Sequence, residues 1–177
     1  KIPLIDKFCH EQDWTKRMGL DIFGKHLGIL GLGAIGKGVA ERASGFHMEV
    51  LAYDVYWDSA YADAHGIRYA QPEEIFSTCD FISLHLPLTE QTHGIVNAEK
   101  KTAVLINTAR GELIDEAALV QALREGKIAA AGLDVFREEP PKNPEIYQLD
   151  NLIMGAHCAA STPGASMVMS RMATENL

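Results

Sequence analysis

The sequence predicts an α/β fold with a doubly wound parallel sheet, and three observations predict it. Short apolar runs of strand length alternate along the chain with stretches whose apolar residues recur at helical spacing. The first such run, His26-Leu27-Gly28-Ile29-Leu30, leads into Gly31-x-Gly33-x-x-Gly36 and then into a helical pattern through Ile35, Val39 and Ala40 to Ser44-Gly45. A second run, Met48 to Tyr53, ends in Asp54, eighteen residues beyond Gly36. Strand, tight turn, helix and a second strand ending on an acid form a crossover unit that takes ligands at the carboxyl ends of its strands.

Within that unit each glycine has a task. Gly31 permits the sharp turn, Gly33 lets backbone approach a pyrophosphate, and Gly36 lets the helix pack close on the strand. The phosphates then meet unpaired N–H groups at the helix start, where the dipole also favours negative charge. Glycine-rich turns are common in proteins that bind nothing, so Asp54 supplies the second half of the signal, at the place where an acid accepts ribose hydroxyls. Its plainer reading is an Asp that merely ends a strand. A carboxylate there repels a 2′-phosphate, and no Lys or Arg lies between Asp54 and Arg68, so the expected cofactor is NAD rather than NADP.

The remaining elements follow in order. Lys1 to Leu20 reads as a loop and short helix carrying Phe8, Trp14 and Met18, with Trp14 in a satellite core or a subunit contact. Asp58 to His65 is a helical connector, and Ile67-Arg68-Tyr69 is a weak third strand. Pro72 starts a short helix with Glu73 and Glu74 in its first turn, and Phe81 to Leu84 is a fourth strand. Between Leu84 and Ala103 the run Asn97 to Thr102 has too little apolar pattern for a covering helix: either the connector is irregular or the sequence skips a few residues there. Val104 to Asn107 is the nearly continuous apolar run of a strand buried on both faces. A helix capped by Asp115 runs to Arg124 and closes at Gly126; a small-residue strand spans Ile128 to Val135. Phe136 to Asp150 is a Pro-rich loop, Leu152 to Met154 a last strand, and a helix starts at about Pro163.

Bulk properties narrow the class. At 177 residues and 47% hydrophobic, the chain can bury one sizeable core. A net charge of -8 argues against a nucleic-acid surface, and no apolar run approaches membrane-spanning length. Cys9, Cys79 and Cys158 have neither disulfide-framework nor metal-ligand spacing, which makes reducing cytoplasm the default compartment and leaves no metal site expected. The chain begins at Lys1 without Met and stops inside an expected helix, as part of a longer protein would.

Three groups sit just past inferred strands, where such sheets place their chemistry. Arg110 follows Val104 to Asn107 and is suited to bidentate capture of a carboxylate; its alternative is a structural ion pair. Glu139 precedes Pro140-Pro141 and alone reads as a solvated charge. His157 follows the last strand; a lone His is usually structural or exposed, yet its pKa range suits proton transfer near neutrality. Together they form a known logic in which His moves a proton, Glu orients and charges it, and Arg holds substrate. His10, His26, His47, His65, His85 and His93 lack such a setting.

Five motifs in one order make the chain resemble the NAD-binding domain of the D-isomer-specific 2-hydroxyacid dehydrogenases. They are Gly28 to Gly36, Leu84-His85-Leu86-Pro87-Leu88-Thr89, Asn107-Thr108-Ala109-Arg110-Gly111, Gly132 to Phe136 with Glu139-Pro140, and His157. The resemblance implies a Rossmann-type domain from a two-domain protein, with 1–20 as interdomain linker, 21–162 as the NAD-binding domain, and 163–177 as the start of a helix returning to a substrate domain. It implies Arg110, Glu139 and His157 as the catalytic set, with His157 exchanging the hydroxyl proton while hydride passes to or from NAD. It places the Ala34 and Ile35 backbone at the pyrophosphate and Leu86, Pro87 and Thr92 around the adenosine. Thr108, Ala109 and Arg110, with Asp134 and His157, fall near the nicotinamide. Ala34 stands where relatives often carry Arg, and Cys158-Ala159-Ala160 departs from the commoner residues there. A D-2-hydroxy acid/2-oxo acid pair, with 3-phosphoglycerate as one candidate, and a homodimer through this domain are the implied partners. The alternative is a non-catalytic, NAD-dependent interaction protein of the corepressor type; a further one is a domain that binds NAD and catalyses nothing by itself.

Overall fold

The computed structural model describes residues 2–96 and 103–175. A first helix, α1 (Ile2–His10), buries none of its residues and is followed by a stretch without helix or strand up to β1 (His26–Leu30). Then come α2 (Ala34–Ala43), β2 (Glu49–Tyr53), α3 (Ser59–Ala64), β3 (Arg68–Tyr69), α4 (Pro72–Thr78) and β4 (Phe81–Leu84). The second half contains β5 (Val104–Asn107), α5 (Glu116–Arg124), β6 (Ala130–Leu133), β7 (Leu152–Met154) and α6 (Pro163–Glu175). The connector Asn97 to Thr102, on which the sequence left two readings open, lies outside the described residues.

The seven strands form one sheet in the order β3-β2-β1-β4-β5-β6-β7, and every neighbouring pair is parallel. The chain builds outward from β1 to β3, then jumps back and builds the other way from β4. This reversal between β1 and β4 opens a crevice at the carboxyl ends of the strands. Alternation along β1 splits the core: Leu27 and Ile29 pack with Val50, Ala52, Ala40 and Ala62, whereas Leu30 packs with Leu51, Ile75, Leu84 and Leu105. Over β5 to β7 the face carrying Val104, Ile106 and Ala130 is only half-buried, and Ile153 on it is exposed.

Element ends differ from the sequence reading where pairing sets them. The expected strand Ile128 to Val135 is paired only over Ala130–Leu133, because its neighbour β5 offers four residues. Helix α2 ends at Ala43, with Ser44–Phe46 tightened into a 3₁₀ turn and His47 left-handed (φ 51°) beyond it. The expected cap forms, Asp115 accepting from the Ala118 N–H at 3.1 Å, and Asp58 likewise caps α3 by accepting from the Tyr61 N–H at 3.0 Å.

The turn between β1 and α2 is a backbone-on-backbone contact. Gly31 has φ 103°, and a Cβ there would lie 2.5 Å from the carbonyl carbon of His85. A Cβ on Gly36 would lie 2.0 Å from the Gly31 carbonyl oxygen, closer than any real contact. Gly36→Ala should therefore cost about 3 kcal/mol, the upper part of the overpacking range, because backbone rather than a flexible side chain must give way. Urea unfolding checks this, and an unchanged midpoint would show that the turn relaxes freely.

Candidate active site

The loop after β5 is built around Asn107, whose side chain is wholly buried. Its amide nitrogen donates to the Arg110 carbonyl at 2.8 Å, and its Oδ1 accepts from the Ala109 N–H at 3.0 Å. A buried amide needs such partners, and these two staple the strand end into a turn that leaves Thr108 and Arg110 exposed. The guanidinium donates to the Ala109 carbonyl at 2.6 Å, and no carboxylate pairs with it among the described residues. The ion-pair alternative for Arg110 therefore has no partner there. Gly111 then presses this loop against the next: a Cβ there would lie 2.0 Å from the carbonyl carbon of Phe136.

That second loop carries Glu139. Its Oε1 accepts from the Phe136 N–H at 3.1 Å, and its Oε2 lies 2.9 Å from Nδ1 of His157. An ionised carboxylate only accepts, so this partner assigns a proton to Nδ1 and leaves Nε2 without a partner among the described residues. The hydrogen bond from His157, followed by the Phe136 N–H, holds the Glu139 carboxyl below its usual range despite an opposing contribution from burial.

His157 itself has φ 55°, a left-handed conformation that side chains disfavour. Asp134 holds it there. The Asp134 carbonyl accepts from the His157 N–H at 2.8 Å, while its carboxylate accepts from the N–H groups of Cys158 at 3.0 Å and Ala159 at 2.8 Å. Burial alone would raise the Asp134 carboxyl, but the Ala159 and Cys158 N–H groups outweigh it and its pKa is lowered. In the described structure the carboxylate is thus engaged by the 157–159 backbone.

On the other side of the crevice, Gly33 caps α2 in an extended conformation open to any residue, and a Cβ added there would touch nothing in the protein. Nothing in the chain itself thus calls for glycine at that place; a molecule lying against the turn would. Ala34 and Ile35 begin the helix, exposed, and the first N–H groups of a helix lack acceptors within it. Asp54 accepts from the Leu32 N–H at 2.6 Å and the Tyr56 N–H at 2.9 Å, which ties the end of β2 to the glycine turn. Its carboxylate keeps acceptor capacity beyond these two bonds. This donor-rich turn beside an acid fits a dinucleotide with free ribose hydroxyls. Between the two sides, Leu86 is buried and Pro87 exposed. Thr92 is buried too, its hydroxyl donating to the Pro87 carbonyl at 2.7 Å and accepting from the Thr89 N–H at 2.8 Å, so it shapes the loop after β4.

The sequence-predicted residues therefore share one edge of the sheet. Arg110, Glu139 and His157 follow the adjacent strands β5, β6 and β7, and Gly31 to Gly36 with Asp54 follow β1 and β2. Sequence reasoning assigned no role to Asn107, although one amide closing an apolar run was a visible signal. It also missed Lys37, whose ammonium lies 2.6 Å from Asp58. His85, beside Gly31, is part-buried with Nε2 2.9 Å from Ser83 Oγ, and burial lowers its pKa.

The fold and the glycine turn are those of a dinucleotide-binding domain. The chain belongs to the family described as the D-isomer specific 2-hydroxyacid dehydrogenase NAD binding domain, which it matches over residues 1–159. It is 39% identical to a glyoxylate reductase from Korarchaeum cryptofilum, covering 97% of this chain and 55% of that protein. It is 43% identical to a D-3-phosphoglycerate dehydrogenase from Methanocaldococcus jannaschii, covering 99% of this chain and 35% of that one. The first alignment runs over 184 positions, more than the 177 residues of this chain, so that relative carries residues without counterparts here. Among solved structures, the D-lactate dehydrogenase of Aquifex aeolicus complexed with NAD and lactic acid superposes with a TM-score of 0.90 at 30% identity, covering 98% of this chain and 59% of that one. The chain thus spans little more than half the length of most of these relatives.

The lowered Glu139 and Asp134 carboxyls make stability depend on acid. A group with depressed folded pKa stabilises fully above its unfolded value and loses that contribution as pH falls through the folded value. For these two the loss begins near the ordinary values of 4.5 and 3.8 and continues below them. Thermal melts at stepped pH should show Glu139→Gln flattening this acid limb; an unaltered slope would remove Glu139 from it.

Proposed function

We propose that this chain is the cofactor-binding part of an NAD-dependent D-2-hydroxyacid dehydrogenase, with Arg110, Glu139 and His157 as its catalytic residues. The observation that carries the reading is His157 held through Nδ1 by Glu139 at 2.9 Å with Nε2 free, on the same sheet edge as an Arg110 without a carboxylate partner among the described residues. NAD, held by the N–H groups at Gly33 to Ile35 and by Asp54, with Leu86, Pro87 and Thr92 flanking the adenosine side and Thr108, Ala109 and Asp134 the nicotinamide side, supplies hydride transfer when bound. His157 takes the hydroxyl proton at Nε2 in oxidation and returns it in reduction. Glu139 stays ionised and keeps the ring oriented and in one tautomer. Arg110 grips the substrate carboxylate and, with its fixed charge, polarises the neighbouring carbonyl.

The substrate side chain is expected to meet a second domain, joined through 1–20 and 163–177 to the cofactor domain at 21–162. Exposed Met167, Met169 and Met172 on α6 suit a helix that packs on further protein. Exposed Trp14, Met18, Leu20 and Phe23 suit a homodimer contact, which light scattering on the intact protein would read as twice the chain mass. The free thiols of Cys9, Cys79 and Cys158 fit a cytoplasmic setting.

Intact protein assayed with NADH against glyoxylate, pyruvate and 3-phosphohydroxypyruvate tests the reading. NADH binding without turnover of any 2-oxo acid would move the chain to the interaction-protein class. His157→Ala should lower kcat by about 10²–10⁴-fold while sparing NADH affinity, since a general acid–base is worth that much. Arg110→Met should instead act through substrate binding, raising KM for the 2-oxo acid as well as slowing turnover.

A further inference from the structure

Sequence alone finds no cation near Asp54 that could accept a 2′-phosphate, but the fold brings one, Lys37, against the loop that begins at Asp54. Lys37, in the first turns of α2, extends to the loop after β2 and meets Asp58 with its ammonium 2.6 Å from Oδ2. The same ammonium lies 4.5 Å from the centre of the Tyr61 ring. The Tyr61 hydroxyl lies 3.2 Å from both the Lys37 carbonyl and a Glu41 carboxylate oxygen, so the ring beside the ammonium is itself held against α2. Four residues before Asp58, Asp54 is bonded to the Leu32 N–H of the glycine turn. One loop, 54–58, is thereby tied at both ends to the glycine turn and α2, and Lys37 is paired with a carboxylate of that loop.

We propose that Asp58 is a second determinant of cofactor choice, excluding a 2′-phosphorylated dinucleotide by sequestering Lys37 2.6 Å away; this rests on the reading of Asp54 as the ribose acceptor. A carboxylate at the end of β2 repels the extra phosphate, and a free cation beside that loop would attract it. Pairing Lys37 with Asp58 removes the attraction and keeps the repulsion. Asp58 also caps α3 through the Tyr61 N–H, so the informative variant is Asp58→Asn, which keeps a capping oxygen and loses only the charge.

NADH and NADPH are titrated into the intact protein and followed by nicotinamide fluorescence, a readout independent of turnover. In Asp58→Asn the ratio of the NADPH Kd to the NADH Kd should fall about fivefold, the upper end expected for freeing one charge near the surface. Adding Lys37→Met should restore the ratio, and raising salt should erode the gain. An unchanged ratio in Asp58→Asn, equal weakening of both nucleotides, or a gain that survives Lys37→Met would each overturn the proposal. Failure of the unaltered protein to bind NADH would instead remove the cofactor reading, and this proposal with it.

Discussion

Everything at the functional edge depends on backbone meeting backbone where a side chain would not fit. The Gly31 carbonyl occupies the place of a Cβ on Gly36, and the His85 carbonyl carbon occupies the place of one on Gly31. These contacts draw β1, α2 and the loop after β4 together at the point where the strand order reverses. A third contact, Gly111 against Phe136 and Arg137, does the same for the loops after β5 and β6. Packed interiors relax little, so positions fixed by such contacts are transmitted to the groups they carry. Arg110 stands immediately before one of them, and Glu139 bonds to the Phe136 N–H beside it.

Rigidity there is answered by a strained residue. His157 occupies the left-handed region without being glycine, at a cost of order 1–3 kcal/mol that persists only where its surroundings over-determine it. Asp134 does so with its carbonyl and both carboxylate oxygens, while Glu139 holds the ring from the other side. The imidazole is therefore fixed in position and orientation.

Much of this was legible in the chain. All seven strands were placed, because most of them read as short apolar runs whatever surrounds them, while β3, exposed at the sheet's edge, read only as a weak strand. Asp115 was placed as a helix cap by local chemistry, since a cap needs only its own next three residues. The ends of β6 and of α2 were not, because pairing length and a 3₁₀ turn are decided by neighbours distant in sequence. Asn107 was passed over as the last residue of a strand, since its two bonds depend on how the chain turns after it.

By itself the sequence determined which residue types stand at which strand ends, and so the fold class, the family and the candidate acid–base and anion-binding groups; these are local patterns with periods of two and 3.6 residues. Only the tertiary structure decided which of those groups share an environment: that Arg110 has no described carboxylate partner, that Asp134 grips the 157–159 backbone, and that Lys37 lies against Asp58. Charges twenty or more residues apart interact through space, and their distances are set by sheet order and close packing, which no single stretch of chain encodes.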